Sequence, residues 1–184
     1  MPHVVTHYGM IEEKTFERLK GLKLLVCDVD GVFSDGRIYL GNDGEELKAF
    51  HTRDGFGVKS LINTGTKVAV ITGRTSAIVE RRMQHLGVHH IVQGIEDKAS
   101  AIKKLCDELN LQPLEVAAIG DDVPDLGMYS FADTKVAVKD AHARVTSAAN
   151  WVLTKPGGFG AVRELCDIIC QAKGHDDTTI GSST

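Results

Sequence analysis

The sequence predicts an α/β fold: a doubly wound, mostly parallel sheet with helices on its faces and a β-hairpin projecting after the first strand. Three observations predict it. Short apolar runs recur along the chain, helical patterns separate several of them, and chemically loaded clusters follow the ends of the runs. Strands buried on both faces and separated by helices imply parallel pairing with right-handed crossovers.

Residues 22–27 (LKLLVC) form the first run. It is too short for a helix and is stopped by Asp28 and Gly31, so it reads as a buried strand. Residues 37–50 (RIYLGNDGEELKAF) place two strand-like arms around Asn42, Asp43 and Gly44, which tolerate the positive φ of a hairpin turn. A helix over 54–63 leads to a strand at 67–71 (KVAVI), and a helix over 75–86 leads to 89–92 (HHIV). The next helix, 98–109, carries Ala99, Ile102, Leu105, Cys106 and Leu109 at three- and four-residue intervals, the stripe of a helix lying on a sheet. Strands at 115–119 (EVAAI) and 134–138 (TKVAV) follow, and a helix over 159–173, preceded by Pro156, Gly157 and Gly158, closes the chain. Residues 1–173 are expected to form a single domain. Residues 174–184 have almost nothing to bury and are expected to be a mobile tail.

Composition narrows the function classes. The 184 residues carry 21 basic and 25 acidic side chains, a formal net charge of -4, which argues against nucleic-acid binding through a broad basic face. No apolar run approaches the ~20 residues that span a bilayer, so no membrane partner is expected. The first residues lack a basic flank followed by a long apolar stretch, so they read as no secretory signal, and a cytoplasmic location is expected. Cys27, Cys106, Cys166 and Cys170 form no CxxC pair and read as buried reduced thiols, and the eight histidines show no zinc-ligand spacing.

The chemistry sits at strand ends, the edge along which parallel α/β sheets place their ligand sites. The first strand is followed by Asp28-Val29-Asp30-Gly31-Val32, KVAVI by Thr72-Gly73-Arg74, and EVAAI by Gly120-Asp121-Asp122-Val123-Pro124-Asp125, while Lys98 opens the helix after HHIV. Carboxylates crowded at one edge repel unless a divalent cation neutralises them, and an all-oxygen site beside phosphate suits Mg²⁺. Of two acids spaced Asp-x-Asp, one can bind metal and attack while the other, less coupled to the metal, works as general acid/base. Thr72 offers a hydroxyl and a backbone N–H to a phosphoryl oxygen, and Lys98 offers positive charge. The set matches phosphoryl transfer through an aspartyl-phosphate. One other reading fails and a second has little support. A calcium EF-hand loop starting at Asp28 would need Gly at its sixth position and Glu at its twelfth, where Phe33 and Tyr39 stand. The glycine clusters at 55–57 and 157–160 complete no nucleotide-binding motif.

In this order the motifs DVDGV, ITGR, Lys98 and GDDVPD resemble those of the haloacid dehalogenase superfamily of aspartate-nucleophile phosphatases, whose sheet is Rossmann-like. The likeness runs over about residues 19–173. The stretches FSDGRIYLGNDGEELKAFHTRDGFGVKSL and KPGGFGAVREL are similar to the family of 3-deoxy-D-manno-octulosonate 8-phosphate (KDO 8-phosphate) phosphatases, enzymes of lipopolysaccharide biosynthesis. The resemblance implies that Asp28 is nucleophile and Mg²⁺ ligand. It casts Asp30 as acid/base and, through its carbonyl, as a metal ligand, and Asp121 as the third ligand. Thr72 and Lys98 would bind the transferring phosphoryl group, with Asp122 and Asp125 orienting Lys98 or metal-bound water. It also implies a substrate-contacting loop at His51, Thr52, Arg53, Asp54 and Gly55, with further basic contacts from Lys59, Arg74 and Arg82. These cations suit a sugar acid carrying both carboxylate and phosphate. His51 and Lys59 stand where close relatives often have Asn and Arg.

Many members of the superfamily carry an inserted cap, but 28–72 holds only the hairpin and one helix, and 72–98 leaves no room for another domain. By kinship the open site is expected to be covered in a homotetramer whose hairpins assemble together, and a tail similar to 174–184 can fold over the crevice in that family. A phosphatase for a nine-carbon sialic-acid-type phosphate is the nearest alternative. A non-catalytic subunit of the same fold has no need for the Asp30 proton shuttle.

Overall fold

The computed structural model describes residues 1–175; the expected tail lies, except for its first two residues, outside the described residues. The chain runs β1 (His3–Thr6), β2 (Gly9–Glu12), α1 (Glu13–Lys20), β3 (Leu24–Cys27), β4 (Tyr39–Leu40), β5 (Glu46–Leu47), α2 (Thr52–Asn63), β6 (Lys67–Ile71), α3 (Ala77–Leu86) and β7 (His90–Val92). It continues through α4 (Lys98–Glu108), β8 (Val116–Gly120), α5 (Leu126–Tyr129), β9 (Thr134–Ala137), α6 (Ala143–Ala148), β10 (Trp151–Val152) and α7 (Ala161–Ala172). Short 3-10 turns at Pro113–Glu115 and Val123–Asp125 flank β8.

Six strands pair in the order β10-β9-β8-β3-β6-β7, every pair parallel. The central strand β3 is fully buried, as its unbroken apolar run demands, and alternate residues feed two separate cores. Leu25 and Cys27 join Val68, Val70, Ala117 and Ile119 on the face covered by α1, α2, α3 and α7. Leu24 and Val26 join Ala69, Ile71, Val116 and Ala118 on the face covered by α4, α5 and α6. The doubly wound sheet and all five apolar runs therefore stand as read.

From β3 the chain winds outward to β6 and β7, then returns to β8 on the other side of β3. That reversal opens a crevice beyond the C-terminal ends of β3 and β8, the place where such sheets bind ligands. The hairpin between β3 and α2 is present, but its paired arms shrink to two residues each, with Tyr39 opposite Leu47 and Leu40 opposite Glu46. No cap interrupts the segments on either side of Thr72.

Several elements of the fold lie beyond the sequence reading, α5 and α6 among them. Residues 3–12 pair as an antiparallel hairpin, and Tyr8 Oη donates to Asp167 Oδ2 at 2.7 Å, pinning that hairpin to α7. Helix α1 then packs on α7, and β10 extends the sheet by one short strand.

Candidate active site

The two central acidic groups of the crevice, Asp28 and Asp121, each follow the end of a strand. Asp28 follows β3 and donates its N–H to Ile119 O on β8 at 3.1 Å, so the sheet ladder itself brings the two acidic loops together. Asp121 follows β8 directly. Gly31 takes a positive φ of 90°, and a Cβ there would fall 2.0 Å from Asp121 Oδ2, so glycine is what lets the two loops touch. Behind Gly31, Gly157 approaches so closely that a Cβ would fall 1.7 Å from the Gly31 carbonyl; Asp140 Oδ1 accepts from Gly157 N at 2.9 Å and holds that loop in place.

Lys98 is the first residue of α4, whose N-terminus is capped by Asp97 accepting from Ser100 N at 3.1 Å. Its side chain is buried, and Nζ donates to Asp28 Oδ1 at 2.8 Å and to Asp125 Oδ1 at 2.7 Å. The second oxygen of Asp125 accepts from Asp121 N at 2.8 Å and Asp122 N at 3.1 Å. Asp125 thus spends both oxygens on orienting Lys98 and shaping the turn. Asp122 caps the same turn, its Oδ1 accepting from Val123 N at 2.7 Å. Of the two, Asp125 and not Asp122 is the side chain that holds Lys98.

The electrostatics call for a cation. Burial, then the neighbouring Asp125, push Asp28 up to about 6 against the pull of Lys98. Burial, then Asp125 and Asp28, push Asp121 up to about 8. Burial pulls the Lys98 ammonium down, but Asp28 and Asp125 outweigh it and the net shift is upward. One ammonium among these carboxylates leaves the cluster short of positive charge. Ligand oxygens of Asp28, Asp121 and Asp125 lie within 4.8 Å of one another, and Asp121 Oδ1 is buried without a hydrogen-bond partner. An all-oxygen set with an orphaned carboxylate oxygen fits a hard divalent cation such as Mg²⁺. With Asp125 committed elsewhere, Asp28 and Asp121 are the side chains left to hold it.

The crevice, about 410 Å³, is lined by Asp28, Asp30, Thr72, Arg74, Lys98 and Asp121 among others. Thr72 is buried at the end of β6, but its N–H donates to Val92 O at 2.9 Å. The β6–β7 ladder ends with Ile71 opposite Val92, and in a parallel pair the next N–H closes it, so the expected backbone donor is already used and the hydroxyl is the donor Thr72 has left. Arg74 is half-exposed and its Nη2 pairs with Glu46 Oε2 at 2.9 Å.

The remaining expected substrate contacts stand outside this crevice. His51 caps α2, its Nδ1 accepting from Arg53 N at 3.1 Å, and Thr52 and Arg53 are exposed in the first turn. Asp54 is buried and turned onto α7, where Oδ1 accepts from Arg163 N at 2.9 Å. Arg82 packs over Gly55, with Nη2 2.5 Å from where a Cβ would stand. Lys59 is half-buried on the same helix as Asp54.

Two groups escaped the sequence reading. Lys48 Nζ donates to Asp30 Oδ1 at 2.5 Å, and Glu46 reaches both Lys48 and Arg74. Both sit on a hairpin arm whose sequence, EELK, looks like any solvated charge run; only the register of the arm could have marked them.

Comparison with known proteins agrees with this geometry. Residues 85–163 match the haloacid dehalogenase-like hydrolase family. The 3-deoxy-D-manno-octulosonate 8-phosphate phosphatase of Yersinia pestis is 44% identical over 181 residues, covering 98% of this chain and 97% of the relative. The enzyme of that name from Escherichia coli K12 is 42% identical over 180 residues, covering 98% and 96%. The crystal structure of the Yersinia pestis phosphatase superposes with a TM-score of 0.92 over 95% of each chain. That of the Moraxella catarrhalis phosphatase, in complex with magnesium, phosphate and KDO, superposes with a TM-score of 0.87 at 38% identity, covering 90% of this chain and 95% of that one.

Proposed function

This chain belongs to the 3-deoxy-D-manno-octulosonate 8-phosphate phosphatases of the haloacid dehalogenase-like hydrolases, and on that footing we propose that it hydrolyses the 8-phosphate of 3-deoxy-D-manno-octulosonate to the free sugar acid and phosphate, as a step of lipopolysaccharide biosynthesis in the cytoplasm. The observation that carries the reading is the meeting of Asp28, Asp121 and the Lys98–Asp125 pair at the β3/β8 switch point.

Asp28 and Asp121, with the Asp30 carbonyl, would hold Mg²⁺, which when bound neutralises their charge and that of the phosphate. The free oxygen of Asp28 attacks phosphorus while Lys98, fixed by Asp125, steadies the phosphoryl oxygens. The Thr72 hydroxyl supplies a further donor. Asp30 gives its proton to the departing sugar oxygen and then takes one from the water that cleaves the aspartyl-phosphate. Arg74 lines the crevice wall and would meet the substrate carboxylate.

His51, Thr52, Arg53, Gly55, Lys59 and Arg82 complete substrate recognition from outside the single-chain crevice, with Asp54 anchoring their loop to α7. That arrangement calls for a neighbouring chain, and a homotetramer joined through its hairpins meets it: Tyr39 and Leu47 pair across the arms and stand 51% and 54% exposed.

A phosphate-release screen over sugar phosphates, with Mg²⁺ and with chelator, tests the reading. Turnover of KDO 8-phosphate that chelator abolishes is the expected result. A higher kcat/KM for a nine-carbon sialic-acid-type phosphate would overturn the substrate assignment.

A further inference from the structure

The hairpin is too short to stand alone: two arms of two residues gain little from their own pairing. Charged contacts tie it to the body of the domain. Lys48, just after β5, has a side chain that is 0% exposed, although the arm around it is open to solvent. A covered ammonium is costly unless paired, so its position is dictated by its partners. Those are Asp30 Oδ1 at 2.5 Å and, more distantly, Glu46 Oε1 at 3.7 Å. Glu46 in turn accepts from Arg74 Nη2 at 2.9 Å. Four charged side chains, Asp30, Lys48, Glu46 and Arg74, thus run as a strap from the loop after β3, across the hairpin, to the loop after β6.

We propose that Lys48 is the positioning residue for Asp30: by engaging one carboxylate oxygen from the hairpin, it turns the other toward the leaving group and the attacking water. This rests on the phosphatase reading above and adds to it a residue that acts through Asp30. In the first step the Asp28 oxygen bonds to phosphorus, the bond from phosphorus to the sugar oxygen breaks, and the Asp30 proton moves to that oxygen. In the second, a water oxygen bonds to phosphorus, its proton passes to Asp30, and the Asp28–phosphorus bond breaks. Both transfers need the free oxygen of Asp30 in one place, and a hairpin displaced from the body would lose that orientation along with Lys48.

The proposal separates esters by leaving group. Nitrophenolate departs without a proton, so forming the phosphoenzyme from p-nitrophenyl phosphate does not depend on Asp30, whereas breaking it down does. Lys48→Met keeps the covered stem and removes the charge. It is expected to lower kcat on KDO 8-phosphate about 100-fold, the reach of one acid/base group, with KM changed less than about threefold. On p-nitrophenyl phosphate the burst of nitrophenolate is expected to keep its wild-type rate while the steady state that follows slows. Lys48→Arg is expected to recover part of both losses. Equal slowing of burst and steady state, an effect confined to KM, or a Lys48→Met protein that does not fold would each overturn the positioning role. A wild-type protein inactive on both esters with Mg²⁺ would overturn the phosphatase reading, and the proposal with it.

Discussion

Asp54 illustrates how a single side chain can cost stability at neutral pH. Its Oδ1 accepts from Arg163 N, but Oδ2 is buried without a hydrogen-bond partner, and burial pushes the carboxyl up to about 6. An unfolded chain returns it to about 3.9. The folded state therefore holds the proton more tightly, and the stabilisation is complete below the unfolded value and lost as pH rises through about 6. Asn at this position can keep the Arg163 contact without the charge. In chelator, urea unfolding at pH 4.5 and 7.5 should show Asp54→Asn gaining on the wild type with rising pH, by on the order of 2 kcal/mol. Parallel pH dependences for the two proteins would contradict this. At the same scale, the meeting of Asp28, Thr72, Lys98 and Asp121 in one crevice was legible because each comes after a strand whose apolar run announces it. The Thr72 N–H is unavailable because in a parallel pair the residue just after the strand still donates into the ladder, and Lys48 was missed because burial of one side chain on an exposed arm leaves no mark in the sequence.

Among the elements, the loop carrying Gly157 and Gly158 backs the nucleophile loop rather than merely joining β10 to α7. A Cβ on Gly157 would overlap the Gly31 carbonyl, whereas one on Gly65 would meet nothing within 4 Å. Gly157→Ala is expected to cost roughly 2–4 kcal/mol of stability and most of the activity, since any shift of Gly31 disturbs Asp121. Gly65→Ala, strained only by its positive φ of 87°, should cost about 1 kcal/mol and leave kcat intact. Melting curves and initial rates for the two proteins check this; equal effects would contradict it. The central strands and long helices were readable because burial on one or both faces forces unbroken or striped apolar patterns. The N-terminal hairpin, α1, α5, α6 and β10 were not. Of these, β10 has two residues, α5 has four, and the outer hairpin leaves Val5 and Met10 exposed, so no periodicity develops.

For the molecule as a whole, no cap is inserted between the motifs among the described residues, and several expected substrate contacts stand outside the crevice. The exposed Tyr39–Leu47 pair supplies an apolar surface on the same hairpin that carries Lys48. Assembly through that surface would fix the hairpin, and with it the strap to Asp30. Light scattering after size exclusion should give the mass of four chains for the wild type and a smaller species for Leu47→Glu, and a monomeric wild type would contradict the assembly. The doubly wound architecture was legible from strand and helix order alone, because right-handed crossovers leave few ways to arrange such a chain. The proposed cover from a neighbouring chain was not, since spacing reveals a missing insertion but says nothing about a second molecule.

In the proposed mechanism, turnover depends on covalent capture of phosphate by Asp28. Mass spectrometry of protein acid-quenched within milliseconds of mixing with KDO 8-phosphate and Mg²⁺ reads it directly. A phosphoryl group on the peptide containing Asp28, absent from an inactive Asp28→Asn protein, is the result expected. Phosphate released with no modified Asp28 at any time, or turnover surviving in Asp28→Asn, would contradict it.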